Sequence, residues 1–148
     1  MSAPELERSA VEETGLEDFG ASGFEEGLER LLESLRAESA LTETGEQILG
    51  LRLRMLLCNR LRIEDTYERH PEIAEEKIEG PIVIVGLPRT GTTALSQLLS
   101  CDPQIRSLRL WESSAPVPPP ESSTQDSDPR IAEARRGLEA MYEVFPKT

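Results

Sequence analysis

Pro81-Ile82-Val83-Ile84-Val85-Gly86-Leu87-Pro88-Arg89-Thr90-Gly91-Thr92-Thr93 is the stretch that decides the fold. It opens with five apolar residues, most of them β-branched, and shows no alternation. That pattern predicts a short strand covered on both faces, as in a parallel sheet. From Thr92 to about Ser100 the spacing becomes helical, with Ala94, Leu95, Leu98 and Leu99 on one side and Asp102-Pro103 as the stop. A glycine-rich turn between a buried strand and a helix start points to the α/β class.

The turn has a chemistry of its own. Gly86 and Gly91 are separated by four residues, the spacing of a phosphate-binding loop, but Thr92 stands where such loops carry lysine. Glycines let successive backbone N–H groups point inward, and the helix beginning near Thr92 adds the positive end of its dipole. Thr90, Thr92 and Thr93 offer hydroxyls. Arg89 offers a permanent charge whose planar fork suits tetrahedral oxyanions. ATP and GTP enzymes place the missing lysine on the β- and γ-phosphates, with magnesium on the next Ser or Thr. A donor with one phosphate–sulfate group and no metal fits these residues better.

Outward from the loop, the N-terminal half is acidic and helical. Residues 1–50 hold 13 acids and 3 bases, and the remainder holds 15 acids and 13 bases. This balance argues against a nucleic-acid binder, which would gather Lys and Arg on one face. Residues 1–14 are polar and aperiodic and are expected as a flexible arm. A helical region is expected over 15–78. Its first helix follows a capping box at Ser22–Glu25 and buries Phe24, Leu28, Leu31, Leu32 and Leu35. Its second follows Thr44-Gly45-Glu46-Gln47, uses Ile48, Leu49, Met55, Leu56, Asn59 and Ile63, and stops at His70-Pro71.

Downstream, Val117-Pro118-Pro119-Pro120 reads as an extended stretch and 121–127 as a polar loop. Asp128-Pro129 reads as an N-cap followed by proline at the first helical position. The helix after it should bury Ile131, Ala134, Leu138, Met141, Tyr142 and Phe145. Cys58 and Cys101 lie in apolar helical stretches without metal-ligand spacing, so both are expected as buried free thiols in a reducing compartment. No secretory signal and no run of about 18 apolar residues is present. A cytoplasmic location is expected.

The segment from Pro81 to Thr93 resembles the 5′-phosphosulfate loop of sulfotransferases. It is similar above all to the bacterial branch with Pro-Arg-Thr-Gly-Thr-Thr where many relatives have Pro-Lys-Ser-Gly-Thr. The likeness extends through Asp102-Pro103, Leu110-Trp111-Glu112 and Pro116–Glu121, and upstream through Asn59-Arg60-Leu61 and His70-Pro71-Glu72-Ile73. The resemblance implies a P-loop NTPase-like parallel sheet, incomplete here, preceded by the helical N-terminal region, with residues 79–148 as the start of the sulfotransferase domain. It also implies transfer of a sulfuryl group from 3′-phosphoadenosine 5′-phosphosulfate (PAPS), without a metal, to the hydroxyl or amine of a small-molecule acceptor. By the family pattern Arg89 contacts the bridging and sulfate oxygens, while Thr90, Gly91, Thr92 and Thr93 hold the 5′-phosphate. Tyrosylprotein sulfotransferases carry a glutamate at a similar distance past their loop, which suggests Glu112 as the catalytic base once two inserted residues are allowed. The other reading of Glu112 is an ion pair with a nearby base such as Arg109. His70, beside a helix-ending proline, is expected to be structural or exposed.

The family's 3′-phosphate site has no counterpart before Thr148. An N-terminal portion of a longer enzyme, inactive alone, is therefore the expectation. Two other functions compete with it: a P-loop kinase or NTPase with a degenerate loop, and a non-catalytic helical interaction protein.

Overall fold

The computed structural model describes residues 1–87 and 89–144, so Pro88 and the expected core position Phe145 lie outside the described residues. Secondary structure among the described residues is helical. The order is α1 (Ala3–Thr14), α2 (Phe24–Glu38), α3 (Glu43–Arg69), a 3₁₀ turn (Pro71–Glu75), α4 (Thr92–Leu99), α5 (Leu110–Ser114) and α6 (Pro129–Val144). The chain forms two compact units, Met1–Ala74 and a second one from Glu75 onward.

In the first unit, residues 1–14 correct the expectation of a flexible arm. They form α1, with Ala3, Leu6 and Ala10 buried on one stripe at helical spacing. Its start is fixed by the Glu5 carboxylate, which accepts a hydrogen bond from Ser2 N at 2.8 Å, one half of a capping box. Gly15 ends it in the left-handed conformation, its N–H on Val11 O at 2.8 Å.

α2 buries Leu28 and Leu32, whereas Leu31 faces outward. Gly23 rather than Ser22 is its N-cap, and Gly23 N donates to the Glu25 carboxylate. The long α3 starts two residues earlier than its apparent capping box: Thr42 is the cap, with its hydroxyl accepting from Gly45 N at 3.1 Å. Its buried stripe steps by four through Leu53, Leu57 and Leu61, with Cys58 and the expected Asn59 buried beside it, and leaves out Ile48 and Leu56, which are exposed.

These stripes close one core of Ala3, Leu6, Ala10, Leu28, Leu32, Leu53, Leu57, Cys58 and Leu61. Each fully buried leucine stabilises by roughly 1.5–3 kcal/mol relative to exposure. Arg60 joins α3 to the segment before α2: it donates to Phe19 O and Ala21 O and sits 4.5 Å over the Phe24 ring. As expected, α3 ends at His70, the C-cap before Pro71.

In the second unit the main correction is to the α/β expectation. Residues 81–87 form no strand, and no sheet exists among the described residues. A strand is completed by the ladder bonds of a neighbour, and no described segment supplies them. The β-branched run is accordingly uncovered, with Ile82, Val83 and Val85 exposed at 63%, 75% and 87%. The apolar face of α4 is uncovered too, Leu95 and Leu98 being exposed.

Elsewhere the local reading holds. α4 spans the expected residues, and α6 begins at Pro129 with Asp128 Oδ1 accepting from Arg130 N at 2.9 Å. Ile131, Ala134 and Leu138 are half-buried along α6, but Met141 and Tyr142 are exposed. Cys58 is buried, whereas Cys101 is exposed in the turn after α4 and so departs from the expected buried thiol. No described helix is long and apolar enough to cross a membrane.

Candidate functional site

The loop from Gly86 to Thr93 is a tight turn held by its own side chains. Thr90 Oγ1 donates to Leu87 O at 2.6 Å, so this hydroxyl proton is committed within the turn. Gly86 is required by contact. A Cβ placed there would lie 2.8 Å from both Thr90 Oγ1 and Thr92 Cγ2, closer than real Cβ atoms come to other groups.

Two positive φ angles, on either side of Thr90, mark the turn's exit. Gly91, the N-cap of α4, has φ 90°, a conformation glycine adopts freely. Arg89 has φ 68°, the one non-glycine residue in that region among the described residues. An L side chain there costs of order 1 kcal/mol, and such strain gathers where function demands it.

The chemistry at the turn is cationic and donor-rich. Arg89 is exposed and makes no ion pair or hydrogen bond among the described residues. No side chain caps the first turn of α4, so its leading N–H groups are not engaged by one. Thr92 is half-buried and Thr93 exposed, both at the helix start. A guanidinium without a partner among the described residues, uncapped amides and the dipole end together suit a tetrahedral anion, while the missing Cβ of Gly86 lets the Thr90 and Thr92 side chains fold over the turn.

Glu112 is built into a different arrangement. It lies on α5, 2% exposed, and its carboxylate accepts three hydrogen bonds. Arg109 N donates to Oε2 at 2.9 Å, while Arg106 Nη2 at 2.8 Å and Gln125 Nε2 at 3.3 Å donate to Oε1. The side-chain ion pair is thus with Arg106, and Arg109 contributes its backbone amide. The Arg109 guanidinium instead reaches Asp126 at 2.8 Å.

Trp111 beside it is buried, with Arg130 4.7 Å above its ring and with Nε1 lacking a partner among the described residues. Arg130 is pinned in turn by Asp128, whose two oxygens take Nε at 2.9 Å and Nη2 at 2.7 Å. Those hydrogen bonds hold the Asp128 carboxyl below its ordinary value and raise Arg130 further.

The sulfotransferase family model matches residues 81–146, a span that includes both the loop and Glu112. Residues 81–146 belong to the sulfotransferase family. The chain is similar over 99% of its length to two solved structures. One is sulfotransferase STF1 from Mycobacterium tuberculosis H37Rv, with 33% identity and a TM-score of 0.84. The other is sulfotransferase STF9 from Mycobacterium avium, with 28% identity and a TM-score of 0.84. The chain spans 41% and 38% of those two proteins. No curated protein matches it.

Within this sulfotransferase segment, Arg89, Thr90, Gly91, Thr92 and Thr93 come together on one turn. No hydrogen bond or ion pair joins Glu112 to that turn among the described residues. His70 is half-exposed, with Nδ1 3.0 Å from a Glu72 oxygen. Sequence reasoning missed Arg106, Gln125 and Arg130. Arg130 carried a signal, since it follows the Asp128-Pro129 helix start within reach of the capping carboxylate.

Proposed function

We propose that the whole protein transfers a sulfuryl group from PAPS to a hydroxyl or amine of a small-molecule acceptor. The observation that carries this reading is Arg89: a guanidinium without a partner among the described residues, held at positive φ two residues ahead of the Gly91 N-cap of α4. Membership of residues 81–146 in the sulfotransferase family and the likeness to two mycobacterial sulfotransferases support it.

The residues fit the donor. The α4 amides with Thr92 and Thr93 would hold the 5′-phosphate, Gly86 would keep the turn closed under Thr90 and Thr92, and Arg89 would sit on the bridging and sulfate oxygens. The donor supplies the sulfur electrophile. An acceptor oxygen or nitrogen forms a bond to sulfur as the sulfur–oxygen bond to the phosphate breaks, and the electron pair stays on the phosphate oxygen. Negative charge therefore grows beside Arg89, where a preorganised cation is most effective. The acceptor's proton goes to a base, and Glu112 is our candidate. Oε2, with a single donor, keeps a lone pair for that proton. A P-loop kinase is a poorer fit, since Thr92 replaces the lysine that such enzymes place on the transferred phosphate.

The test is release of adenosine 3′,5′-bisphosphate from PAPS by the whole protein, against a panel of phenols, alcohols and amines. Arg89→Ala should lose transfer by about 10²–10³-fold. Near-normal turnover in that variant sinks the assignment.

A further inference from the structure

α5 has five residues, far too few for a helix to persist by its own hydrogen bonds. Its place is therefore set by what grips its ends. At the start, Glu112 itself takes Arg109 N and Arg106. At the end the grip is Arg130, which reaches back from the first turn of α6. Its Nη1 donates to Ala115 O at 2.7 Å and to Pro118 O at 2.7 Å. Ala115 is the C-cap of α5. The same guanidinium lies over Trp111, the residue next to Glu112, and its Nε–Nη2 edge is fixed by Asp128. The Arg130 side chain is 15% exposed, with its donors committed to this chain. It is thus poorly placed to bind a substrate and well placed to hold a short helix.

We propose that Arg130 is a positioning residue. Through Trp111 and the carbonyl of Ala115 it fixes the α5 turn, and so sets where the Glu112 carboxylate meets the acceptor. The proposal rests on the reading of Glu112 as the base. Lysine could not replace it: a single ammonium cannot pair edge-on with Asp128, reach two carbonyls and stack on indole at once.

The experiment compares kcat and KM for Arg130→Lys, Glu112→Gln and the double variant in the whole protein. Arg130→Lys should lower kcat about 10²-fold, the scale of an ångström's misplacement, with KM for PAPS within about twofold of the parent because the Arg89 loop is separate. The double variant should lose no more than Glu112→Gln alone, since both changes act on one carboxylate. Trp111, the single tryptophan, should shift its emission to the red in Arg130→Lys as the ring loses its cover. Glu139→Gly, on an exposed position of α6, controls for stability. It costs about 1 kcal/mol and should leave kcat unchanged. If Arg130→Lys does not fold, Asp128→Asn loosens the same guanidinium, keeps the N-cap acceptor, and should show a smaller loss of the same kind. Parental kcat in Arg130→Lys, or multiplied losses in the double variant, overturns the positioning role alone. Parental kcat in Glu112→Gln overturns the base reading, and the positioning proposal falls with it.

Discussion

The φ of 68° at Arg89 permits a test that separates backbone from side chain. Arg89→Ala removes the guanidinium and keeps a Cβ in the left-handed region. Arg89→Gly removes both the charge and the steric conflict. Relieving that conflict stabilises the turn by about 1–2 kcal/mol, and the extra freedom of glycine in the unfolded chain takes back about 0.4–1 kcal/mol. The glycine variant should therefore exceed the alanine variant by about 0.5–1 kcal/mol. At a position of ordinary negative φ the order would reverse. Urea unfolding followed by Trp111 fluorescence reads this difference in the second unit, which holds both residues. In the whole protein both variants should lose sulfuryl transfer by at least about 10²-fold, so one of them gains stability as it loses function. An alanine variant as stable as the glycine variant would refute the strained turn. A glycine variant that keeps its turnover would refute the need for the cation.

Three further outcomes follow from the same geometry. Gly86→Ala places a methyl group 2.8 Å from Thr90 Oγ1 and Thr92 Cγ2; overpacking of that kind costs about 1–3 kcal/mol, and titration calorimetry of the whole protein with adenosine 3′,5′-bisphosphate should show affinity reduced at least about tenfold. Asp128 is the stronger acid when folded, because Arg130 hydrogen-bonds its carboxylate, so its contribution is complete above its ordinary value of 3.8 and is lost as pH falls through the depressed folded value. Asp128→Asn should flatten that acid limb in urea midpoints read from Trp111. Glu7 behaves in the opposite sense: burial, and then the charges of Glu25 and Glu29, raise its folded pKa above 4.5, so the folded state loses stability as pH rises through the raised value. Glu7→Gln should remove that decline and raise the midpoint at pH 7, measured by circular dichroism of the helical first unit.

The segments legible in the sequence were those whose signal is local. The start of α6 was written in Asp128-Pro129, and α4 in the switch to helical spacing after Thr92. α1 was missed although Ser2 and Glu5 stand at capping-box spacing, because the stripe of Ala3, Leu6 and Ala10 is small-sided and lies among glutamates. α3 misled for another reason. Apolar residues occur all around Ile48–Leu61, so periodicity could not choose between Leu56 and Leu57, and packing against α1 decided for Leu57. The strand at 82–85 is the clearest limit. Its composition states a preference, but pairing belongs to two segments, and one run of β-branched residues cannot supply the second.

The candidate site divides along the same line. The candidate groups of the Gly86–Thr93 turn are neighbours in sequence, and two of its demands, no Cβ at Gly86 and positive φ at Gly91, fall on glycines; the positive φ at Arg89 had no such signal. The surroundings of Glu112 were not readable, because Arg106, Gln125 and Arg130 reach it or its helix from segments 6, 13 and 18 residues away, and no spacing rule links such positions. This contrast has a functional consequence. A loop that binds by local backbone geometry tolerates changes in the rest of the chain. A carboxylate held by two side chains from 6 and 13 residues away, beside one local amide, does not, and a single altered donor among them shifts its position. Variation in acceptor handling among proteins with this same turn should therefore map to the residues around α5, while donor binding stays constant.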